Sequence, residues 1–160
     1  MEYMLGFPNK DQADQISAIW DAGWHDGHAG IVPARLCELR TARSFLDRSI
    51  ANLPNTRIAY VGTEVLGFSM VKDDELYQLY VSQKARGVGI AKALIEDVEQ
   101  TIRLAGHKTA WLACAIGNTR AERFYQKSGW TNTGSQVLDL ETSEGTFPLE
   151  ISRLEKVLDA

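Results

Sequence analysis

Cysteine, long apolar runs and excess positive charge are all scarce in this sequence of 160 residues. Its two cysteines, Cys37 and Cys114, lie in unrelated segments without the paired spacing of a zinc site, so no structural metal is expected. Cys114 falls in an apolar run, where a reduced core thiol is expected. No apolar run approaches the roughly 20 residues that span a bilayer, and no basic region precedes an apolar stretch at the N-terminus. These absences predict an intracellular, cytoplasmic protein with no membrane partner.

The balance of charge also excludes a class of partner. Lys and Arg number 17 against 21 Asp and Glu, which gives a formal net charge of −4. Nonspecific nucleic-acid binding needs a basic face, so no nucleic-acid partner is expected. A chain of this length, with 44% hydrophobic residues, is expected to form one domain over residues 1–160.

Hydrophobic periodicity divides the first third of the chain into a short strand and two helices. Residues 3–7 read as the strand, and Asn9 or Asp11 is expected to cap the first helix. An irregular stretch is expected next, marked by Gly23, Gly27, Gly30 and Pro33. The second helix is expected to run from about Ala42 to the Asn52–Pro54 region.

The rest of the chain reads as a sheet interrupted by two helices. Helices are expected at about 90–105 and 118–128, and strands at 57–61, 65–71, 75–81, 109–115, 130–140 and 147–154. The fold class is therefore mixed α/β (α+β), with a largely antiparallel sheet flanked by helices. The helix after the strand at 75–81 requires a parallel crossover.

A loop rich in small residues joins that strand to the next helix. Gly87 and Gly89 keep side chains away from the first helical amides, which lack partners and lie at the positive end of the helix dipole. Such a junction can hold a pyrophosphate, and Arg86 can add a charge-assisted contact. No Gly-Lys-Ser/Thr follows, and the third glycine of a dinucleotide fingerprint is missing. A glycine turn without a ligand remains the other interpretation of this segment alone.

A second block follows one strand later. Asn118 can cap the short helix and Gly129 can end it with a positive φ. Asn118, Ala121 and Tyr125 are spaced to share one stripe of the helix, while Phe124 lies three residues from Ala121. Taken singly, Asn118 is most simply a cap and Tyr125 a core tyrosine.

Together the two blocks resemble the GNAT superfamily, the Gcn5-related N-acetyltransferases. The resemblance rests on Arg86-Gly87-Val88-Gly89-Ile90-Ala91 and on Asn118, Ala121, Phe124-Tyr125 and Gly129-Trp130; it is strong from about residue 57 to 130. It implies an acetyl-CoA-dependent N-acetyltransferase with a splayed central strand pair. Acetyl-CoA is the implied co-substrate, without a metal. The implied cofactor-binding residues are Leu79, Tyr80, Val81, Arg86, Gly87, Val88, Gly89, Ile90, Ala91, Asn118, Ala121, Phe124 and Tyr125.

The same resemblance implies catalytic roles. Glu75, at the start of a strand where the family often places a carboxylate, is the expected general base, against the simpler interpretation of a solvated acid after Asp73-Asp74. Tyr125 is the expected general acid, because a phenol with a pKa near 10 can protonate a leaving thiolate whose pKa is roughly 8.5. Neither cysteine has an evident activating neighbour, so a covalent acetyl-cysteine route is not expected.

The acceptor end is poorly defined by the sequence. Trp20 and Trp24 are expected in the core; His25 and His28 are expected at the surface, with contact to the substrate as the other interpretation and metal binding disfavoured. The expected acceptor is a primary amine of a small molecule or peptide. The alternatives are a catalytically silent acyl-CoA sensor and a plain interaction module, and a second copy of the chain could pair through the C-terminal hairpin.

Overall fold

Within residues 2–158, seven strands and five α-helices make up the fold. A computed structural model describes residues 2–158 of the chain. The strands are β1 (Met4–Gly6), β2 (Thr56–Val61), β3 (Glu64–Lys72), β4 (Glu75–Val81), β5 (Thr109–Ala115), β6 (Thr131–Thr142) and β7 (Gly145–Val157). The helices are α1 (Ala13–His28), α2 (Ala34–Leu39), α3 (Ala42–Ala51), α4 (Ile90–Leu104) and α5 (Thr119–Lys127).

The strands form one sheet in the order β1-β2-β3-β4-β5-β7-β6. Only β4 and β5 pair in parallel, on either side of the α4 crossover, and the other neighbours are antiparallel. The predicted fold class, a mixed and largely antiparallel sheet flanked by helices, is therefore confirmed.

The central pair, β4 and β5, is joined at one end only. Glu75 is opposite Trp111, and no further pair along the two strands is in register. On its other edge β4 is fully paired with β3, except for a bulge: Met70 is opposite Gln78 and Val71 is opposite Leu76, which leaves Tyr77 as an extra residue in β4. A bulge bends its strand and increases the local twist. β4 therefore diverges from β5 beyond residue 76 and leaves a V-shaped gap, as the resemblance implied.

Helices cover both faces of the sheet. α4 packs its apolar stripe, which includes Ile95, Val98 and Ile102, against β5 and Trp130. On the opposite face α1, α2 and α3 enclose a second core around Trp20, Leu36 and Phe45. Helices therefore cover both faces, and the two faces are connected through the V-shaped gap between β4 and β5.

The first helix is longer than the sequence indicated. The expectation of an irregular stretch from Gly23 was wrong: α1 continues through Gly23 and Gly27 to His28, and α2 was missed. A Cβ at Gly23 would come within 2.4 Å of the Tyr80 ring, and one at Gly27 within 3.0 Å of the Asn118 amide. These glycines are sites of close packing, which overrides their low helix propensity. Asn9, one of the two expected caps, does cap the turn before α1.

Two further predictions concern membrane spans and cysteines. Between residues 2 and 158, no helix combines the length and apolarity needed to cross a bilayer. Cys114 is buried and Cys37 half-buried, and both are free thiols, so the expected reduced core thiol at Cys114 is confirmed.

Candidate active site

The gap between β4 and β5 opens into a cavity of about 400 Å³. Its walls come from distant parts of the chain: the splayed strands, the ends of α1 and α2, the helix α3, the start of α5, and the hairpin of β6 and β7. A cavity of this volume lies within the usual range for small-molecule sites, roughly 300–1,000 Å³. Of the predicted site residues, Glu75, Leu79, Tyr80, Asn118, Ala121 and Tyr125 line it.

The predicted phosphate loop lies outside this cavity, at the wide end of the gap. Gly87 and Gly89 have φ of 84° and 85°, and nothing stands within 4 Å of a Cβ added to either one. Gly89 is the N-cap of α4, so the first helical amides, from Ile90 onward, have no partner within the helix. Residues 86–89 are exposed. The loop therefore presents free amides to solvent with no side chain in front of them, which fits a pyrophosphate.

Arg86 is already engaged in an ion pair. Its guanidinium lies 3.6 Å from the carboxylate of Asp26 on α1. The pair is exposed, where such contacts contribute little to stability. Arg86 is thus held beside the loop by a weak partner that an anionic ligand can replace.

The helix α5 brings the second predicted block to the opposite wall. The Asn118 side chain caps the helix by accepting from the Ala121 amide at 3.4 Å, and Gly129 ends it with φ of 94°. Asn118, Ala121 and Tyr125 face the cavity as one stripe. Phe124 packs instead against the core beneath α5, so it supports the helix and does not line the cavity.

Tyr125 is the phenol placed to act at the gap. Burial, reinforced by nearby Tyr80 and Cys114, raises the pKa of Tyr125 above its ordinary value. No side chain within residues 2–158 hydrogen-bonds to its hydroxyl, although the ring packs edge-on against Phe124 and Trp130. The phenol therefore stays protonated at neutral pH, with its hydroxyl available to a ligand.

Glu75 lies at the closed end of the gap. It is half-buried, and burial raises the pKa of Glu75, an effect that Lys72 opposes. No cation pairs with it within 4.0 Å among the described residues. This differs from the interpretation of Glu75 as a solvated acid: the carboxylate lines an enclosed site and has no partner there.

His28 belongs to the same cavity, which the sequence left undecided. The expectation of a surface histidine does not hold for His28, which is half-buried, whereas the His25 side chain is 37% exposed. His28 stacks on Trp24 at 4.5 Å, and its Nδ1 lies 2.7 Å from the Trp24 carbonyl oxygen. A carbonyl only accepts, so Nδ1 carries the proton and Nε2 keeps its lone pair. Burial lowers the pKa of His28, which favours this neutral form.

The remaining expectations near this wall concern tryptophan and metal. Trp20 and Trp24 are buried, as predicted; Trp24 also lines the cavity. His25 binds the Arg40 carbonyl oxygen and lies 3.5 Å from Asp21. The described part of the chain has no group of three or more His, Cys, Asp or Glu side chains placed to hold a metal ion.

Two arginines in the cavity wall were missed altogether. Arg40 follows α2 and is only 4% exposed, and Arg48 lies on α3 with its guanidinium 4.2 Å from the Trp20 ring. One signal could have found them. Arg40 lies four residues after buried Leu36, just past the end of α2, and Arg48 lies three residues after buried Phe45 on α3. Each therefore follows the buried side of its helix.

Comparison with known proteins agrees with this geometry. Residues 14–130 match the model of the Acetyltransferase (GNAT) family. That match spans both predicted blocks and well over half of the chain. The chain belongs to the GNAT acetyltransferase family.

Individual relatives extend the likeness over the whole fold. A protein of Mycobacterium tuberculosis named as an uncharacterized N-acetyltransferase is 31% identical over 115 residues, which cover 61% of this chain and 72% of that protein. A GCN5-related N-acetyltransferase of Rhodopseudomonas palustris superposes with a TM-score of 0.76 at 20% identity, covering 99% of this chain and 97% of that one. PaiA N-acetyltransferase of Thermoplasma acidophilum, solved with coenzyme A, gives 0.68 at 18% identity, covering 98% and 99%.

Family membership decides the broad activity. GNAT proteins are acyltransferases that use acetyl-CoA, so the prediction of an acetyl-CoA-dependent N-acetyltransferase is confirmed at the level of the family. The roles predicted for single residues, and the acceptor, are not decided by this likeness.

Proposed function

We propose that this GNAT chain transfers an acetyl group directly from acetyl-CoA to a primary amine while both are bound. The observation that carries the proposal is the convergence of Glu75 and Tyr125 on one cavity in the gap between β4 and β5. A base and an acid on the walls of one cleft suit acyl transfer, since the amine must lose a proton and the thiol must gain one.

Acetyl-CoA fits the structure at both ends of the gap. The loop before α4 would hold the pyrophosphate through exposed amides and one guanidinium, contributed by Arg86, Gly87, Val88, Gly89, Ile90 and Ala91. The unpaired edge of β4 at Leu79, Tyr80 and Val81 would hold the pantetheine arm as an added strand does. Asn118, Ala121 and Tyr125 would flank the arm from α5, with Phe124 supporting them. When bound there, acetyl-CoA supplies the activated acyl group.

Glu75 is the proposed general base for the incoming amine. Model amines titrate at about 8 for an α-amino group and near 10 for lysine, so most of the amine is protonated at pH 7. Glu75 is half-buried, and no cation among residues 2–158 lies within 4.0 Å of its carboxylate, although Lys72 and Arg153 attract it from farther away. It can accept the amine proton directly or through one water. His28 is the second candidate, because its tautomer leaves Nε2 as an acceptor in the same cavity.

Tyr125 is the proposed general acid at sulfur. A thiolate leaving into the same water-poor gap has its pKa raised by burial, as the phenol does. Burial thus shifts both pKa values upward, and the phenol can donate a hydrogen bond to the leaving thiolate. Backbone amides along the free edge of β4 would meanwhile stabilise the negative charge that develops on the acyl oxygen.

A covalent acetyl-cysteine is not part of this proposal. Burial raises the pKa of the Cys114 thiol to about 11, so almost no thiolate is present at neutral pH. The thiolate is the nucleophilic form. Direct attack by the amine is therefore the route that the cavity supports.

The experiment that tests the proposal is Tyr125→Phe. We expect kcat to fall by about 100-fold because the proton donor is lost, while the Kd for acetyl-CoA measured by calorimetry changes less than about twofold. An amine panel assayed with a thiol reagent measures kcat, and single-turnover kinetics isolate the chemical step. Tyr60→Phe is the matched control, since Tyr60 lies on β2 away from the gap. An unchanged single-turnover rate in Tyr125→Phe removes that role.

An acyl-CoA sensor is the second function considered. Retained acetyl-CoA binding with no acetylation of any amine, and with Tyr125 dispensable, would identify it. In the described part of the chain, Glu75 forms no ion pair within 4.0 Å and the Tyr125 hydroxyl has no side-chain hydrogen bond; two such groups in one cavity favour the enzyme. In keeping with the continuous sheet and the net charge of −4, the proposal further includes a single domain acting in the cytoplasm without nucleic acid or membrane. A homodimer through the β6–β7 hairpin is also included.

A further inference from the structure

Two arginines, the buried Arg40 and the half-buried Arg48, share one wall of the acceptor side of the cavity. Arg40 and Arg48 both line it, on the face of the sheet covered by α1, α2 and α3. Lys72 adds a third cation, with its Nζ 3.6 Å from the centre of the Tyr77 ring. The other charged side chains lining the cavity are Glu75, Asp139 and Glu141.

Within residues 2–158, each guanidinium has one buried nitrogen without a hydrogen-bond partner. Arg40 donates from Nη1 to the Glu141 carbonyl oxygen at 2.7 Å, while its buried Nε has no partner. Arg48 donates from Nη2 to the Tyr77 hydroxyl at 3.0 Å, while its buried Nη1 has none. An unpaired buried donor costs roughly 1–3 kcal/mol, and more on a charged group. Each of the two neighbouring arginines therefore has one buried N–H without a partner, and a ligand that accepts from both removes this free-energy cost.

The electrostatic environment of the two arginines supports the same conclusion as their hydrogen bonds. No carboxylate within residues 2–158 lies within 4.0 Å of Arg40 or Arg48, although other arginines of this chain are paired in this way. Burial first, and then the positive charge of Arg48, lowers the pKa of Arg40 to about 10. Two like charges held together away from water are stabilised by an anion placed between them.

We infer that Arg40 and Arg48 bind a carboxylate on the acceptor, so that the substrate is a small amine that is also an acid, such as a free amino acid. Two oxygens of one planar carboxylate can each accept from one arginine, a geometry that guanidinium groups favour. This inference rests on the proposed function. It excludes polyamines and aminoglycosides, which carry no such acid, and a protein N-terminus, whose neighbouring carboxyl is an amide.

The first test compares each amino acid with its own primary amide. Leucine, phenylalanine and methionine are assayed beside leucinamide, phenylalaninamide and methioninamide, together with spermidine and O-phosphoethanolamine. We expect kcat/KM to favour at least one acid over its amide by tenfold or more. Equal use of acid and amide in every pair overturns the inference, and so does a preference for spermidine. A preference for O-phosphoethanolamine over all the amino acids overturns the assignment to a carboxylate.

The second test changes the arginine. Arg48→Gln should reduce the preference for acid over amide by tenfold or more, chiefly through KM, because the substrate carboxylate loses its partner. Arg43→Gln is the matched control: Arg43 lies on the same helix, pairs with Asp47 and is 81% exposed. The ratio of the two substrates is measured on one enzyme sample, so a loss of folded protein does not mimic the effect. An unchanged ratio in Arg48→Gln contradicts the inference.

A binding measurement separates this inference from the proposed function. N-acetyl-leucine, N-acetyl-phenylalanine and N-acetyl-methionine, with their primary amides, are titrated calorimetrically into protein saturated with coenzyme A. Tighter binding of an acid than of its amide supports the carboxylate site even if no amine is acetylated, which would be a failure of the proposed activity alone. Binding of neither member of any pair, or equal binding, overturns the carboxylate site whatever the catalytic result.

Discussion

The two halves of the proposed site, one for the cofactor and one for the acceptor, are built in opposite ways. The cofactor half comes from two short contiguous blocks, the loop before α4 and the start of α5, and its contacts depend on backbone amides and glycine conformation. The acceptor half comes from α1, α2, α3 and the β6–β7 hairpin, and its contacts depend on side chains such as Arg40 and Arg48. A shared ligand can thus be recognised by local geometry, whereas a particular acceptor requires residues assembled from distant segments.

The largest expected effect tests whether the base is Glu75 on β4 or His28 on α1. Glu75→Gln should lower kcat/KM by about 100-fold at pH 7, because a general base contributes roughly that much or more, while His28→Gln should lower it only severalfold. A steady-state pH profile checks both variants. The raised pKa of Glu75 lies above 4.5 and the lowered pKa of His28 lies below 6.5. At neutral pH the lowered pKa keeps His28 in its neutral form, which can accept a proton.

The acidic limb of that profile separates the two candidates further. A base must be deprotonated, so kcat/KM should fall as the pH drops through its pKa and recover as the pH rises. The limb should vanish in Glu75→Gln and persist in His28→Gln. The reverse pattern would transfer the role to the acceptor half, to His28 on α1.

A smaller effect is expected in the cofactor half at Gly89. Gly89→Val should raise the Kd for acetyl-CoA by about tenfold, since a side chain at the N-cap obstructs charge-assisted contacts worth roughly 1.5–3 kcal/mol. Gly30→Val is the matched control, because Gly30 has φ of 84°, close to the 85° of Gly89, and equally open surroundings. Calorimetry with acetyl-CoA measures both. Equal losses in the two variants would mean that backbone strain alone is responsible.

The packing of α1 against Tyr80 and Asn118 can be tested at its two glycines. Gly23→Ala should reduce the free energy of unfolding by about 1–3 kcal/mol, because the new Cβ meets the Tyr80 ring at 2.4 Å. Gly27→Ala should be nearly neutral, since its Cβ meets only the Asn118 amide nitrogen at 3.0 Å and alanine favours the helix. Urea unfolding measures both variants. A stabilised Gly23→Ala would show that Tyr80 is free to move away from α1.

The smallest effect is expected at Cys114, which lies between the halves. Cys114→Ala should keep kcat within about twofold and cost about 1 kcal/mol in stability through the small void it leaves. The measurement is turnover with the best acceptor, together with mass spectrometry of the wild type quenched during turnover. An acetylated Cys114 peptide, with activity lost in the variant, would overturn direct transfer.

The contrast between the halves also explains what the sequence could predict. Each predicted strand and the crossover helix appear within a few residues of the expected bounds, because their hydrophobic periods are clear. The phosphate loop and the Asn118, Ala121, Tyr125 stripe are equally local. Helix α2 was missed because it has only six residues, and α1 was cut short because Gly23 and Gly27 read as breakers.

The acceptor residues were missed for a different reason: spacing gives a local signal for their burial, but not for the contacts that hold them inside. An arginine close in sequence to leucines or to a phenylalanine usually lays its aliphatic stem over them and places its guanidinium in solvent. Arg40 and Arg48 stay inside because the β6–β7 hairpin and the bulged β4 supply a carbonyl and a hydroxyl to them. Their roles depend on contacts across 101 and 29 residues of sequence, which periodicity does not record.

The extra residue in β4 has a consequence for both halves. Leu76 and Leu79 both pack toward α4, although they are three apart, and Tyr77 and Tyr80 both face the opposite side. A strand of strict two-residue alternation would separate the members of each pair. Shortening β4 by one residue would invert every side chain after it, sending the Tyr80 ring toward α4. The extra residue at which the strands diverge thus also sets the phase of β4, so without it the proposed acceptor wall and the proposed cofactor groove would be lost together.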